Sequence, residues 1–172
     1  MSEIFLREAS VSDAATIVSI LQTAFQEYRA LLDPPSGVHK ESVESIVAKM
    51  KTACWVIGEV DGTAVGCVMY EKRDDYMYLG RLAVLPEFRR RGVGKSLIEY
   101  VEVQARASHI ARVRLGVRIV LEELRASYAR RGYREIGFHA HEGYTEPTYV
   151  TMEKDLTLRR VITHSASDRQ GA

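Results

Sequence analysis

The sequence predicts a single α/β domain built around one mixed sheet of seven strands, with about four helices. Its segments follow the order strand, two helices, three strands, helix, strand, helix, two strands. Short connections join the middle strands, which are therefore expected to be antiparallel. A helix separates the strand at 78–84 from the strand at 112–117, so these two are expected to run parallel.

The first part of the chain is predicted to hold one strand and two helices. A short strand is expected at residues 4–8. Ser12 is predicted to be an N-cap, with Asp13 in the first turn of a helix whose apolar pattern continues to Tyr28. The run Asp-Pro-Pro-Ser-Gly at 33–37 ends that helix, and a second one is expected at about 40–50.

Two middle strands are predicted at 53–60 and 63–72, because Asp61-Gly62 between them is a hairpin signal. With a two-residue turn, Cys54 and Cys67 would be diagonal neighbours on one face of the sheet. They are expected to be free, half-buried thiols.

The C-terminal part is predicted to hold the remaining elements. Residues 112–117 alternate as a half-buried strand does, and a helix at 121–131 is expected to end at Gly132. The last two strands are predicted at 133–141 and 148–155. We expect residues 1–156 to form the domain and 157–172 a polar, mobile tail.

Composition limits the class of protein. The 172 residues are 46% hydrophobic and 27% charged, with a net charge of +1, as in ordinary soluble domains. No apolar run approaches the roughly 18 residues of a membrane span, and no signal sequence is recognised. Two cysteines cannot form a disulfide scaffold, so a cytoplasmic location is expected.

The most informative segment is residues 85–97, Leu-Pro-Glu-Phe-Arg-Arg-Arg-Gly-Val-Gly-Lys-Ser-Leu. It lies between a predicted strand and a predicted helix. Backbone N–H groups at such a helix start, together with the helix dipole, form an anion site. Gly92 and Gly94 lack Cβ atoms, so a phosphate could approach the main chain closely. Four basic residues against Glu87 concentrate positive charge at this turn.

This turn admits four interpretations. A nucleotide-binding P-loop needs a glycine where Arg89 stands, so that motif is excluded. A nucleic-acid patch has little support in a nearly neutral chain with one short basic run. A solvated arginine cluster before an ordinary helix stays open. The fourth is a pyrophosphate cradle of the pattern Arg/Gln-x-x-Gly-x-Gly/Ala, matched by Arg89, Gly92 and Gly94.

Through this last pattern the chain resembles the GNAT superfamily of N-acetyltransferases, and its element order from residue 4 to 155 matches the fold of that family. The resemblance implies an acetyl-coenzyme A (acetyl-CoA) site in which the pyrophosphate lies on the turn and the pantetheine amides pair with a strand. The strand would be splayed from its parallel neighbour. The residues implied in coenzyme binding are Leu82, Ala83, Val84, Arg89, Arg90, Arg91, Gly92, Val93, Gly94, Lys95 and Arg131.

A second motif supports the resemblance. Tyr128, Gly132 and Tyr133 match a helical tyrosine followed, after three residues, by Gly-Phe in many GNAT enzymes, with tyrosine here for phenylalanine. In the family, the tyrosine at the position of Tyr128 lies near the coenzyme sulfur and can protonate it. The alternative is a core tyrosine whose hydroxyl bonds a carbonyl.

Two departures from the family leave parts of the site open. The usual asparagine at the start of the tyrosine helix is Leu121, and a glutamate often found two residues before the position of Leu82 is Gly80. The general base is therefore unassigned. Candidates are Glu71, Asp74, Asp75, His139, His141 and Glu142.

The resemblance implies transfer of an acetyl group to a primary amine, whose identity the sequence leaves open. Acids in the expected acceptor region, such as Glu27, Asp33 and Glu41, would suit a cationic amine. We expect no metal, because His139 and His141 alone make an incomplete site. No nucleic-acid or membrane partner is expected, and a homodimer is left open. A coenzyme-binding regulatory module with little transfer activity is the main rival.

Overall fold

A seven-stranded mixed sheet runs through the molecule, with two helices packed on each face. The computed structural model describes residues 2–157. The strands and helices, in chain order, are β1 (Ile4–Glu8), α1 (Ala14–Phe25), α2 (Val43–Lys49), β2 (Cys54–Val60), β3 (Thr63–Lys72), β4 (Met77–Val84), α3 (Val93–Ala107), β5 (Arg112–Arg118), α4 (Glu122–Arg130), β6 (Arg134–His139) and β7 (Tyr149–Asp155). The predicted mixed α/β domain is thereby confirmed, whereas the predicted tail lies outside the described residues apart from Thr157.

The strand order is β1-β2-β3-β4-β5-β7-β6, and every neighbouring pair is antiparallel except β4 and β5. The parallel pair is joined through α3, as the sequence predicted. Its pairing is short. Met77 pairs with Val113 and Tyr78 with Arg114, and beyond these residues the two strands separate. The separation opens a gap in the sheet.

Two apolar clusters, one on each face, hold the layers together. On one face α1 and α2 cover Trp55, Ile57 and Met69. On the other face α3 and α4 cover a cluster that includes Leu79 and Leu115, one from each side of the gap. Burial of these side chains therefore holds the two halves of the sheet together where backbone pairing is missing.

The start of α1 differs from the prediction. Ser10 caps a 3-10 turn at Val11–Asp13, and this turn leads into α1, whose own N-cap is Asp13 and not Ser12. The carboxylate of Asp13 accepts the backbone N–H of Ser10 at 2.8 Å and two donors of Arg7 at 2.9 Å each. The ion pair with β1 therefore holds Asp13 at the junction of the 3-10 turn and α1, one residue after the N-cap that local sequence preference indicated.

The two cysteines also differ from the prediction. A bulge between Gly58 and Glu59 shifts the β2–β3 register, so that Cys67 lies opposite Ile57. Cys54 packs with the cluster under α3, and Cys67 with the cluster under α1, because a one-residue shift moves a side chain to the other face. Both thiols are free, as expected, but Cys67 is fully buried, which raises the pKa of its thiol to about 12.

Candidate active site

The gap between β4 and β5 opens into a cleft of about 1230 Å³. Its walls come from both strands, from the turn before α3, from α4 and from the segments around Leu32 and His139. Most of the predicted coenzyme residues line it: Leu82, Ala83, Val84, Arg89, Arg90, Gly92, Gly94, Lys95 and Arg131, and also Tyr128. Arg91 and Val93 do not. The Arg91 guanidinium lies over the ring of Phe88, and the side chain of Val93 is buried in the core.

The turn before α3 presents unpaired backbone amides to the cleft. Helix α3 is capped by Gly92, whose φ of +89° is a left-handed conformation that glycine adopts without strain. The first paired amide of the helix is that of Ser96, which donates to the Gly92 carbonyl at 2.9 Å. The four preceding N–H groups, from residue 92 to 95, therefore have no acceptor within the helix and remain available for an anion.

Gly94 lies beside the end of β4. A Cβ atom added there would be 3.7 Å from a methyl group of Val84, which is an ordinary contact. The protein would thus tolerate a side chain at this position. The space in front of Gly94 is open to a ligand, and this fits the close approach that a diphosphate requires.

Arg89 does not contribute its side chain to this anion site. Its guanidinium donates to the carbonyls of Val84 at 3.2 Å and Ala24 at 3.1 Å, and it pairs with Glu27 at 2.6 Å. These contacts tie the turn to β4 and α1. The side chain that the motif singled out therefore has a structural role, and the charge at the cleft comes from its neighbours, such as Arg90 and Arg131.

A bulge distorts β4 where the gap opens. Arg81 and Leu82 lie together opposite the single residue Val68 of β3. Arg81 has a φ of +52°, which is uncommon for a residue other than glycine. Such a bulge turns backbone groups out of the regular ladder. The amides near Leu82 are thus placed at the point where the cleft begins.

Glu41 holds Arg81 in this conformation. Its side chain is 3% exposed and accepts the Arg81 guanidinium at 2.8 Å and the Lys49 ammonium at 3.1 Å, together with the Ser45 hydroxyl. Burial opposes the charge, but these donors outweigh it and lower the pKa of Glu41 below its ordinary value. The expectation that Glu41 faces a cationic acceptor is therefore wrong. Sequence spacing gave no signal of this pair, whose members are 40 residues apart.

Tyr128 is buried, but its hydroxyl has no hydrogen-bond partner among residues 2–157. The residue is 6% exposed and lines the cleft, and burial is the main cause of its raised pKa, with no hydrogen bond among the causes. Tyr133 contrasts with it, because its hydroxyl donates to the buried carboxylate of Glu102 at 3.1 Å. The alternative of a core tyrosine bonded to the protein therefore describes Tyr133 rather than Tyr128.

The end of α4 fixes these two rings relative to one another. Gly132 has a φ of +95°, and the N–H of Tyr133 donates to the carbonyl of Tyr128 at 3.1 Å. This is a Schellman ending, which brings the residue after the glycine back onto the last helical turn. The two rings accordingly meet edge to face with centroids 5.7 Å apart. Gly132 therefore ends the helix, as predicted, and orients Tyr128.

The space beside Gly80 is already filled. A Cβ atom there would lie 2.8 Å from the ring of Tyr78, which itself lines the cleft. A glutamate at this position would require the ring to move. At this position the cleft wall therefore presents the aromatic ring of Tyr78 and no carboxylate.

Among the six candidates for a general base, only His139 and His141 line the cleft. His139 stacks on the ring of Tyr149 at 5.1 Å. His141 has its Nδ1 in hydrogen-bond contact with the Thr148 hydroxyl. Burial and the charge of Arg118 lower the pKa of His141, so its imidazole is neutral at pH 7. Glu71 and Asp75 instead pair with arginines.

Neither a metal cluster nor a membrane-spanning helix is found within residues 2–157. No three potential histidine, cysteine or carboxylate ligands lie together there. The same stretch has no helix of the length and apolar character that crossing a bilayer requires.

The strand, turn and helix around the cleft match a known family. Residues 16–133, more than half of the chain, fit the sequence model of the acetyltransferase (GNAT) family. The chain belongs to the GNAT family. The predicted resemblance is confirmed.

Two proteins of similar sequence carry N-acetyltransferase names. The chain is 27% identical over 110 residues to S-alkylcysteine N-acetyltransferase of Bacillus subtilis, covering 59% of this chain and 61% of that protein. It is 34% identical over 110 residues to probable N-acetyltransferase 14 of Danio rerio, covering 62% of this chain and 39% of that protein. The matched parts thus span less than two thirds of either relative.

A solved GNAT structure confirms the fold. The PaiA N-acetyltransferase of Thermoplasma acidophilum, solved in complex with coenzyme A, superposes with a TM-score of 0.74 at 18% identity. The match covers 89% of this chain and 99% of that one. At this identity the likeness establishes the shared architecture.

Proposed function

We propose that the protein transfers an acetyl group from acetyl-CoA to a primary amine, by direct attack of the amine while both substrates are bound. The observation that supports this proposal most strongly is that two features line the same cleft. Unpaired amides at the α3 turn suit a diphosphate, and Tyr128, whose hydroxyl has no partner in the described part of the chain, lines the same cleft. Acetyl-CoA supplies an activated thioester, and the chain's residues bind it, orient it and move protons.

The coenzyme would be held mainly by backbone. The N–H groups of residues 92–95 would bind the diphosphate, and Arg90, Lys95 and Arg131 would add positive charge. Lys95 is 61% exposed, so its contribution is screened by salt. The edge of β4 from Leu82 to Val84 would bind the pantetheine amides, except through the Val84 carbonyl, which Arg89 already occupies. An amide at Leu82 or Ala83 would polarise the thioester carbonyl.

Two side chains would move protons. The Tyr128 hydroxyl would donate to the coenzyme sulfur, because burial raises the pKa of the phenol and keeps it protonated. The neutral imidazole of His141 would accept the proton of the amine, with Nδ1 occupied by Thr148 and Nε2 left for the acceptor. Both residues line the one cleft.

The test is an acetylation assay that measures thiol release with acetyl-CoA across amines, amino acids and peptides. Because one similar protein is named for S-alkylcysteine, the panel should include S-methylcysteine. Amine-dependent thiol release and the acetylated product by mass spectrometry would support the proposal. Tight coenzyme binding, without turnover on any amine, would favour the regulatory module instead.

The base assignment has its own test. His141→Gln should lower kcat at neutral pH by about 10- to 100-fold, in the range of general-base effects, and leave the coenzyme dissociation constant unchanged. His109→Gln, outside the cleft, is the control. Full turnover in the His141 variant would leave water as the proton acceptor.

A further inference from the structure

One arginine of the cleft wall, Arg118, has no carboxylate partner among residues 2–157. Arg118 is the last residue of β5 and lines the cleft. One of its Nη atoms donates to the Pro34 carbonyl at 2.6 Å. Its Nε is buried and has no acceptor among residues 2–157. A partly buried cation without a counter-charge is costly, and burial lowers the pKa of Arg118.

Most other basic residues around the cleft are neutralised by the protein. The pairs are Arg73 with Glu71 at 2.6 Å, Arg81 with Glu41 at 2.8 Å, Arg89 with Glu27 at 2.6 Å, Lys95 with Glu99 at 3.7 Å and Arg114 with Glu153 at 2.6 Å. In the described part of the chain, the lining arginines outside such pairs are Arg90, Arg118 and Arg131. Arg90 and Arg131 lie at the phosphate turn and the end of α4. Arg118 lies at the end of β5, beside Pro34 and close to His141.

The acids near Arg118 do not compensate it. The carboxylate of Asp33 lies beyond ion-pair distance of the Arg118 guanidinium, and it raises the pKa of Arg118 less than burial lowers it. The same carboxylate accepts the hydroxyl of Tyr144. Over residues 2–157 the single carboxylate that lines the cleft is that of Glu123, on α4. The segments around Arg118 otherwise present His141 and aromatic rings. The environment therefore favours an anion and not the cationic acceptor that the sequence suggested.

We propose that the acceptor carries a carboxylate close to its amine, and that Arg118 binds this carboxylate. The substrate class is then amino acids and similar small amines with a free carboxylate. A guanidinium suits this group because it offers several donors in one plane and stays charged. The placement is consistent with acetyl transfer, since the neutral imidazole of His141 lies near enough to feel the Arg118 charge. This inference rests on the proposed transfer to an amine.

The experiment compares matched acceptors that differ only in the carboxylate. S-methylcysteine, methionine, leucine and phenylalanine are each assayed beside the corresponding carboxamide, and kcat and KM are measured separately. We expect kcat/KM to favour the acids by at least tenfold, mainly through KM. In Arg118→Gln this ratio should fall below about threefold, whereas Arg118→Lys should retain part of it. Arg73→Gln, which removes a paired arginine of the same cleft, should keep the ratio.

A binding measurement separates recognition from turnover. Calorimetry with N-acetylmethionine and its carboxamide, in the presence of coenzyme A, should show tighter binding of the acid to the wild type and equal binding to Arg118→Gln. Transfer to amines with equal rates for acid and amide would overturn the inference and leave the proposed function intact. Absence of transfer to any amine, despite carboxylate binding, would overturn the proposed function alone.

Discussion

At the scale of single residues, the two tyrosines of the second motif illustrate how similar side chains acquire different roles. They are five positions apart and their rings are in contact, yet the hydroxyl of Tyr133 is bound to Glu102, whereas Tyr128 lines the cleft and its hydroxyl has no partner among residues 2–157. The motif identified Tyr128 from sequence. The partners of Tyr133 and Arg118 were not predictable, because the contacts join residues 31 and 84 positions apart.

Removing the Tyr128 hydroxyl tests the proposed acid. Tyr128→Phe keeps the ring and its packing, so we expect turnover to fall by about 10- to 1000-fold, or about 1.4–4 kcal/mol of barrier. The acetyl-CoA dissociation constant should change by less than about threefold, since binding rests on the turn and on β4. Tyr76→Phe is the control, because it removes a tyrosine hydroxyl from another residue of the cleft wall. Full turnover in the Tyr128→Phe enzyme would assign Tyr128 a structural role.

Restoring the common Gly-Phe pattern should weaken this protein. Tyr133→Phe removes a hydrogen bond to a carboxylate that is 7% exposed, while Lys154 still holds both oxygens at 3.0 Å. We expect a loss of about 1–2 kcal/mol in the free energy of unfolding, measured by urea denaturation. Tyr100→Phe, whose hydroxyl has no such partner among the described residues, should cost less than about 0.5 kcal/mol. Equal losses in the two variants would contradict this explanation of Tyr133.

At the scale of elements, the turn before α3 is the proposed anion site, made from backbone, and its arginines make different contacts. Sequence placed the glycines, the helix start and the neighbouring strand correctly. It treated Arg89, Arg90 and Arg91 as one charged group, because local spacing cannot tell an arginine that ties the turn to α1 from one that faces a ligand. The structure separates them by the acceptors that each guanidinium finds.

Gly94→Ala tests the turn without disturbing the protein. The added methyl group meets only an ordinary contact with Val84, so the variant should fold normally. It should nevertheless weaken coenzyme A binding by more than about tenfold, or about 1.4 kcal/mol, if a diphosphate lies against the main chain there. Calorimetric titration measures the effect, with Ser96→Ala further along the helix as the control. Wild-type affinity would exclude Gly94 from the binding surface.

At the scale of the whole molecule, element order determined most of the fold in advance. The hairpin signal and the helix between β4 and β5 were enough to predict the antiparallel and parallel neighbours. The bulges in the β2–β3 and β3–β4 pairs were not predicted, because a register shift depends on what packs against both faces. Their effects are large. One moves Cys67 to the opposite face, and the other sets Arg81 and Leu82 at the mouth of the cleft.

A buried ion pair joins elements that are distant in the chain. Lys154 of β7 binds Glu102 of α3, and Tyr133 completes the group. Lys154→Met should cost about 3 kcal/mol of unfolding free energy, because it leaves a buried carboxylate without its cation. Lys95→Met removes an exposed partner of Glu99 and should cost under about 0.5 kcal/mol. Thermal or urea unfolding of the two ligand-free variants measures both losses. Similar losses would show that the Lys154–Glu102 pair stabilises the fold no more than the exposed Lys95–Glu99 pair.

The short pairing between β4 and β5 has a consequence for amide hydrogen exchange. Past Tyr78, the N–H groups of β4 on the open side have no strand beside them, although this strand lies in the middle of the sheet. Water can reach them through the cleft, so their protons should exchange with deuterium far sooner than those bonded to β3. Amides of β4, the middle strand of the sheet, would thus exchange at the rates typical of an edge strand. A molecule that occupies the gap should slow them, so exchange along β4 would record occupancy even for a compound that is never turned over.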